Sequence, residues 1–345
     1  MLNFTVVKYY KRASININTN RHKFIYRAIN NTAKINKITT SLQALSLSIK
    51  NNKQVSTYLG IFFFICSGAM SSLLMVAIKS ASYNTNMLPT HLLTWRYIFA
   101  FLALLPIMIK KRFNFLKPKI VRSNFARDIA ATTATFMWYT FGINLPLGNL
   151  TLISFLTPVL IVVFAAIIFK EKISLGIVIS LLFCLFGVAI VVKPDFITLG
   201  SSYIFILLTS VLRAVVGILS KNVLNKQSPL DALLSSVIFM TIFSCIANPP
   251  DIQYLTKDFA IEVTILSSLF FIYLMFYNIG VWLCDVGALQ PFDFVRLCFS
   301  VGFGYYFFGD KINSNTLIGG TIIVLAGLYS VVSKQRRAKI NNNAN

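Results

Sequence analysis

The sequence between residues 57 and 333 is a series of long apolar runs separated by short polar breaks. Each run has roughly 18 to 22 residues, and about 20 are needed to cross the hydrocarbon core of a bilayer. Backbone groups in lipid must satisfy their hydrogen bonds internally, so these runs are predicted to be helices. Charged residues make up only 12% of the chain, about half the share found in a soluble domain. The sequence therefore predicts an all-α integral membrane protein.

Ten membrane spans are predicted along these runs. They cover residues 57–78, 90–109, 128–145, 149–168, 174–193, 200–221, 229–248, 263–284, 288–308 and 314–333. With a cytoplasmic N-terminus, the loops and tails on that side hold 25 Lys and Arg residues, against four on the opposite side. An excess of bases beside the spans is typical of the cytoplasmic side. We therefore expect a multi-pass protein of the inner membrane with both termini in the cytoplasm.

The net charge of +22 is concentrated in loops and tails. Residues 1–56 hold ten Lys or Arg and no Asp or Glu, and residues 334–345 hold four bases. The first segment fits either a disordered cytoplasmic tail or an organelle transit peptide, and both segments would favour anionic lipid. Nucleic acid is not an expected partner. The five cysteines have spacings that indicate neither a metal site nor a disulfide framework, and no cofactor is expected.

The chain contains an internal repeat. Residues 169–174 resemble residues 308–313, and other residues of the two halves match at nearly the same spacing. The repeat divides the chain into halves at residues 57–193 and 194–333. Five predicted spans in each half is an odd number, so the second half must be inverted in the membrane relative to the first. Inverted repeats are a common architecture of transporters, in which two halves move around a central site.

Certain residues recur in both halves. The first copy has a proline in span four (Pro158), an acidic–basic pair at the next turn (Glu171, Lys172) and a glycine in span five (Gly187); the second has Pro291, Asp310, Lys311 and Gly327. These segments resemble the ends of the two domains of the EamA family, within the drug/metabolite transporter superfamily. The resemblance extends over about residues 57–333. It implies ten helices in two inverted five-helix halves around a central substrate site.

Within that superfamily, the chain looks most similar to the S-adenosylmethionine uptake transporters. Span nine begins with Pro291, Phe292 and Phe294, the Pro-aromatic-x-aromatic spacing of that branch. The resemblance implies S-adenosylmethionine uptake, either coupled to an ion or in exchange for S-adenosylhomocysteine. The same spacing occurs in other branches, so export of amino acids or cationic drugs on the same fold stays open as an alternative.

Four charged residues lie clearly inside predicted spans, away from the span ends, where their cost makes function the default interpretation. Arg96, near the outer end of span two, either lines the substrate pathway or extends to the membrane interface. Arg213 lies deeper in span six and is a candidate for the pathway. Asp293 and Arg296 have the i, i+3 spacing of a direct pair. They are interpreted either as a structural pair or as a proton or cation site (Asp293) beside a carboxylate contact (Arg296).

Two prolines and a tryptophan complete the predicted site. Pro291 cannot donate a backbone hydrogen bond, so a helix break there would free carbonyls beside the charges. Pro158 has nearly the corresponding place in span four and predicts a second break. Trp138, central in span three, is the candidate for stacking on a ring or a sulfonium cation. Glycines in the spans are predicted to permit close helix contact, namely Gly187, Gly302, Gly304, Gly319 and Gly320.

Other classes of protein have little support in the sequence. It contains no His-Glu-x-x-His zinc motif, Walker loop or Gly-x-Ser-x-Gly elbow, which disfavours an enzyme or an ATP-driven pump. No segment resembles a selectivity filter, which disfavours a channel. The sequence predicts a secondary transporter that moves a small polar metabolite by alternating access. It leaves the oligomeric state open between a monomer and a homodimer.

Overall fold

A computed structural model of the chain is helical nearly throughout the parts that it describes. These parts are residues 53–85, 87–116, 118–142, 154–170, 173–192, 201–251, 253, 255–309 and 314–343, and no strand occurs within them. Most of the predicted N-terminal tail lies outside the described residues. So do the two acidic–basic pairs of the repeat, at 171–172 and 310–311.

Eleven helices occupy the described ranges. They are α1 (Lys53–Thr85), α2 (Pro89–Lys110), α3 (Pro118–Gly142), α4 (Leu156–Ile168), α5 (Leu175–Val192), α6 (Ser201–Leu224), α7 (Pro229–Ala247), α8 (Lys257–Leu283), α9 (Val286–Asp293), α10 (Val295–Phe308) and α11 (Ser314–Asn343). Each predicted span coincides with one helix, except that the ninth contains both α9 and α10. Five helices, α1, α2, α6, α7 and α8, are long and apolar enough to cross a membrane, and shorter apolar helices lie within α4, α5 and α11.

Local sequence signals set several of the helix ends. Before α7, the Ser228 hydroxyl accepts a hydrogen bond from the backbone N–H of Asp231 at 3.2 Å. Before α8, the Thr256 hydroxyl accepts one from the backbone N–H of Phe259 at 3.3 Å. Both are N-caps that satisfy a donor left free by the first helical turn. Gly309 ends α10 with φ at +68°, a left-handed conformation that glycine adopts at little steric cost.

The helices of the two halves pack against each other in corresponding pairs. Helix α2 packs on α7 and α5 on α11, and each of these two pairs joins helices that are equivalent in the repeat. Helix α3 packs on α6, and the equivalent helices α8 and α1 approach closely at Gly280 and Gly60. A Cβ atom on Gly280 would lie only 3.0 Å from the carbonyl oxygen of Gly60. Helix α4 departs from this pattern, because it packs on α9 although its equivalent is α10.

Apolar side chains form two main clusters in the bundle. The first, which includes Leu92 and Leu233, is built largely from α2, α7 and α8. The second, which includes Leu289 and Ile323, is built largely from α1, α5, α9 and α11. Tyr277 packs against both clusters. The two clusters therefore meet at Tyr277 in α8.

A buried ion pair joins α3 to α7. The Arg127 and Asp128 side chains are 3% and 0% exposed, and Arg127 Nε donates to Asp128 Oδ1 at 2.8 Å. The same guanidinium donates to the carbonyl oxygen of Ala232 at 3.2 Å and to the Ser236 hydroxyl. Because Arg127 is buried, Asp128 is the group that balances its charge.

Glycine permits close contact of α5 and α11 at one point. A Cβ atom on Gly187 would lie 2.8 Å from the carbonyl oxygen of Gly319 and 2.8 Å from the Ile323 side chain. The prediction of close contact is confirmed at Gly187. It is wrong at Gly302 in α10, where no described atom lies within 4 Å of the Cβ position, because that face of α10 is exposed.

Replacing Gly187 with alanine is expected to destabilise the protein by about 1–3 kcal/mol, because a methyl group cannot fit beside the backbone of α11. The measurement is the thermal melting temperature of the purified protein in detergent. Gly302→Ala is the matched control. It should leave the melting temperature unchanged or raise it, since alanine favours the helix by about 0.5–1 kcal/mol. Equal effects of the two changes would contradict the close contact.

Replacing Asp128 with asparagine is expected to destabilise the protein strongly, because it leaves the buried Arg127 without a counter-charge. Losing one member of a buried pair costs about 3–5 kcal/mol. The melting temperature should fall well below that of Asp251→Asn, which changes an exposed carboxylate in a loop. A melting temperature for Asp128→Asn equal to that of the control would show that Arg127 does not need this partner.

Candidate substrate site

Arg213 lies at the middle of α6, over the indole ring of Trp138 on α3. The guanidinium carbon is 5.1 Å from the ring centroid, within the range of a cation–π interaction. Arg213 Nε is buried and has no hydrogen-bond partner in the described part of the chain. The cation that Trp138 contacts in this structure is therefore a side chain of the protein itself.

Asp293 and Arg296 form the ion pair that their spacing predicted. Arg296 Nη2 is 3.4 Å from Asp293 Oδ2, and each side chain is 24% exposed. The Arg296 guanidinium carbon also lies 5.5 Å from the ring centroid of Phe155. Ser72 on α1 donates a hydrogen bond to the backbone carbonyl of Arg296 at 3.0 Å. The pair is therefore held against both α1 and the start of α4.

The pair flanks a helix boundary, although not at the predicted residue. Phe294 separates α9 from α10, whereas Pro291 lies inside α9. A proline clashes with the turn that precedes it, so the helix can continue beyond it. Pro158 lies in the first turn of α4, which begins after Phe155, and a first turn needs no donor there. The two boundaries are therefore at Phe155 and Phe294, three residues from the prolines.

The rings of Phe155 and Phe294 stack on each other. Their centroids are 4.8 Å apart and their planes are 15° apart, and both residues are buried. Their separation along the chain is the same as that of Phe169 and Phe308 in the repeated turn. Two equivalent helix boundaries, one from each half of the chain, therefore meet in the interior of the bundle.

Arg96 is buried against two aromatic rings. It is 4% exposed, and its guanidinium carbon lies 4.7 Å from the Tyr97 centroid and 4.6 Å from the Phe270 centroid. Its Nε atom has no hydrogen-bond partner among the residues that the structure describes. A side chain that extended to the membrane interface would be exposed, so the structure rules out that interpretation of Arg96.

Two tyrosines are shared neighbours of the arginines. Tyr139 lies close to both Arg96 and Arg213. Tyr273 lies close to both Arg213 and Arg296. The three arginines that the sequence placed in separate spans are therefore neighbours in one network, with Arg213 in the middle.

Several members of this network were not predicted. Phe270 has no feature in the sequence that separates it from packing residues, whereas Phe155 precedes Phe294 by the offset of the repeat. Tyr273 and Tyr277 carry a usable signal, because they are one helical turn apart in α8 and so share a face. Tyr277 also lies as many residues after Trp138 as Phe294 lies after Phe155. The repeat offset, applied to aromatic residues, would have identified Tyr277.

The network suits a ligand that has both a negative group and a flat ring. Its charged side chains are three arginines and one aspartate (Arg96, Arg213, Arg296 and Asp293), which leaves an excess of positive charge. Aromatic faces at Trp138 and Phe155 border two of the guanidinium groups. Within the described residues, no three His, Cys, Asp or Glu side chains come together as a metal site would require.

Known transporters are similar to nearly all of the chain that follows the N-terminal tail. The S-adenosylmethionine uptake transporter of Rickettsia prowazekii (strain Madrid E) is 25% identical over 291 residues, which cover 83% of this chain and 97% of that protein. The riboflavin transporter of Brucella anthropi is 21% identical over 262 residues, covering 74% and 92% of the two chains.

The fold is also found in a solved crystal structure, with a TM-score of 0.64 and 16% sequence identity. The match covers 82% of this chain and 98% of the other. The model of the EamA-like transporter family matches twice, over residues 58–193 and 200–333. These two matches take in all eleven helices except the first residues of α1 and the last residues of α11. The chain is a multi-pass membrane protein and belongs to the EamA-like transporter family.

Proposed function

We propose that this protein is a secondary transporter that takes up S-adenosylmethionine across the inner membrane by alternating access. The observation that carries the proposal is the group of charged and aromatic side chains around the Phe155–Phe294 contact. In this proposal, residues 57–193 and 194–333 form two inverted halves of five spans each. The two halves move relative to each other around this group, which binds the substrate.

The chemistry of the site matches the parts of this substrate. S-adenosylmethionine has an adenine ring, a sulfonium and an ammonium group, and a carboxylate. The indole of Trp138 offers a face on which a purine or a sulfonium could stack. Asp293 is the carboxylate of the network and would bind a cationic group or a proton. Similarity along 97% of a protein named for S-adenosylmethionine uptake supports the same substrate.

The distribution of basic residues supports the proposed orientation. Lys110 and the bases that follow it up to Arg127, together with both tails, carry most of the positive charge outside the spans. Such clusters remain in the cytoplasm and would bind anionic lipid headgroups there. Both termini are therefore assigned to the cytoplasmic side.

Uptake of labelled S-adenosylmethionine into liposomes that contain the purified protein is the direct test. We expect saturable uptake that excess unlabelled S-adenosylhomocysteine blocks, because a carrier has a finite number of sites and both compounds share the adenosyl group. Protein-free liposomes are the control. Uptake that rises linearly with concentration, without counterflow, would indicate a channel. No uptake by folded, reconstituted protein would exclude this substrate and direct the search to riboflavin, amino acids and cationic drugs.

Replacing Asp293 with asparagine tests how transport is driven. If this carboxylate carries the coupled proton, the variant should lose uptake driven by an imposed pH gradient. It should keep exchange against substrate loaded inside the liposomes, since exchange moves no net proton. Asp258→Asn, which changes an exposed carboxylate in the first turn of α8, should behave like the unmodified protein. An unchanged response of Asp293→Asn to the pH gradient would exclude the proton role.

A further inference from the structure

We infer that Arg213 binds the carboxylate of the transported molecule, with Trp138 holding its guanidinium in place. The identity of that molecule rests on the proposed function. Arg213 is chosen because the three arginines, Arg96, Arg213 and Arg296, have different surroundings. The spacing of Asp293 and Arg296 in the sequence had instead favoured Arg296 as the carboxylate contact.

Arg296 already has a carboxylate partner. It is paired with Asp293 at 3.4 Å, and one face of its guanidinium is directed at the Phe155 ring. A second carboxylate at Arg296 would be placed beside Asp293, where the two negative charges would repel each other. Arg296 is therefore the less favourable position for the acidic group of a substrate.

Arg96 is less accessible to a ligand than Arg213. Only 4% of the residue is exposed, whereas Arg213 is half-buried. The centroids of the Tyr97 and Phe270 rings lie 4.7 Å and 4.6 Å from the Arg96 guanidinium carbon. Arg96 is better suited to support the positive field of the site than to contact a ligand.

Arg213 differs from Arg296 in having no ion pair among the described residues, and from Arg96 in being only half-buried. None of the ion pairs between described residues involves it, and its Nε is buried without a hydrogen-bond partner among them. Arg296 lies near enough to repel the Arg213 guanidinium, and Asp293, which attracts it, is already paired with Arg296. A carboxylate bound at Arg213 would relieve this repulsion and satisfy the free donor.

The position of Arg213 strengthens the inference. It is the thirteenth of 24 residues in α6, so it lies near the middle of a membrane-spanning helix. An arginine there without a partner is costly, and such residues are retained where they contact a substrate or an ion. The Trp138 ring restrains the guanidinium, and a planar guanidinium can donate two parallel hydrogen bonds to one carboxylate.

Binding of a matched pair of compounds tests the inference. The purified full chain is titrated with S-adenosylhomocysteine and with its methyl ester, which differ only in the carboxylate. We expect the acid to bind about 10- to 100-fold more tightly than the ester, the range of a charge-assisted hydrogen bond. Arg213→Gln should abolish this preference by weakening the acid alone, and Arg296→Gln should retain it. Retention in Arg213→Gln, or loss in Arg296→Gln alone, would overturn the inference.

Arg213→Lys separates charge from geometry. Lysine keeps the positive charge but lacks the planar fork, so the preference for the acid should fall roughly 10-fold without disappearing. A lysine variant with the full preference of the unmodified protein would show that the bidentate contact does not exist.

The melting temperature without ligand distinguishes a binding role from a structural one. Arg213→Gln removes a charge that has no ion-pair partner among the described residues. The melting temperature of this variant should therefore equal or exceed that of the unmodified protein. Arg127→Gln, which removes the paired arginine between α3 and α7, should lower it. A fall for Arg213→Gln as large as that for Arg127→Gln would assign Arg213 to the fold and overturn the inference.

A failure of the proposed substrate can be separated from a failure of this inference. If neither adenosyl compound binds the unmodified protein, the proposed function is wrong, and the comparison is repeated with the twenty amino acids and their methyl esters. A preference for an acid that disappears in Arg213→Gln would still support the role of Arg213. No preference for any acid in the unmodified protein would overturn it.

Discussion

The contact between Phe155 and Phe294 is the point on which the site depends. A helix can be interrupted within a bilayer only where the surrounding protein shields the backbone from lipid. Here the boundary before α4 and the boundary between α9 and α10 shield each other, through two buried rings that stack at 4.8 Å. The charged pair lies on either side of the second boundary, and Arg296 also faces the first through Phe155. Separating the two rings would expose both boundaries at once.

The repeat gives the two halves the same scaffold but different chemistry. At the offset that relates Phe155 to Phe294, the positions equivalent to Asp293 and Arg296 are Ser154 and Thr157. The second half therefore supplies the ion pair and Arg213, whereas the first supplies the Trp138 and Phe155 rings. A common scaffold allows two conformations of similar energy, which alternating access requires. The difference in chemistry lets one molecule contact both halves through different groups.

The sequence predicted the helices well because each apolar run must be helical in lipid. It also predicted the pairing of Asp293 with Arg296, because i, i+3 spacing brings side chains together on any helix. It did not predict the partners of Arg96, since Phe270 belongs to the other half of the chain and only packing joins them. It also placed Arg127 in a basic loop, because a charge cluster at the end of a span has the same composition whether it is solvated or buried.

If the two halves move as proposed, the buried Arg127 affects that movement. Arg127 and Lys111 belong to the first half and bind the beginning of α7 in the second, at Ala232 and Asp231 respectively. In the proposed orientation, both contacts lie at the cytoplasmic end of the bundle. Opening the site toward the cytoplasm would have to separate them and admit water to Arg127. Water weakens an ion pair by raising the local dielectric constant, but it also solvates the separated charges. Opening would therefore cost less free energy than replacing Asp128 in the closed structure. In that replacement, the charge of Arg127 stays buried without its counter-charge.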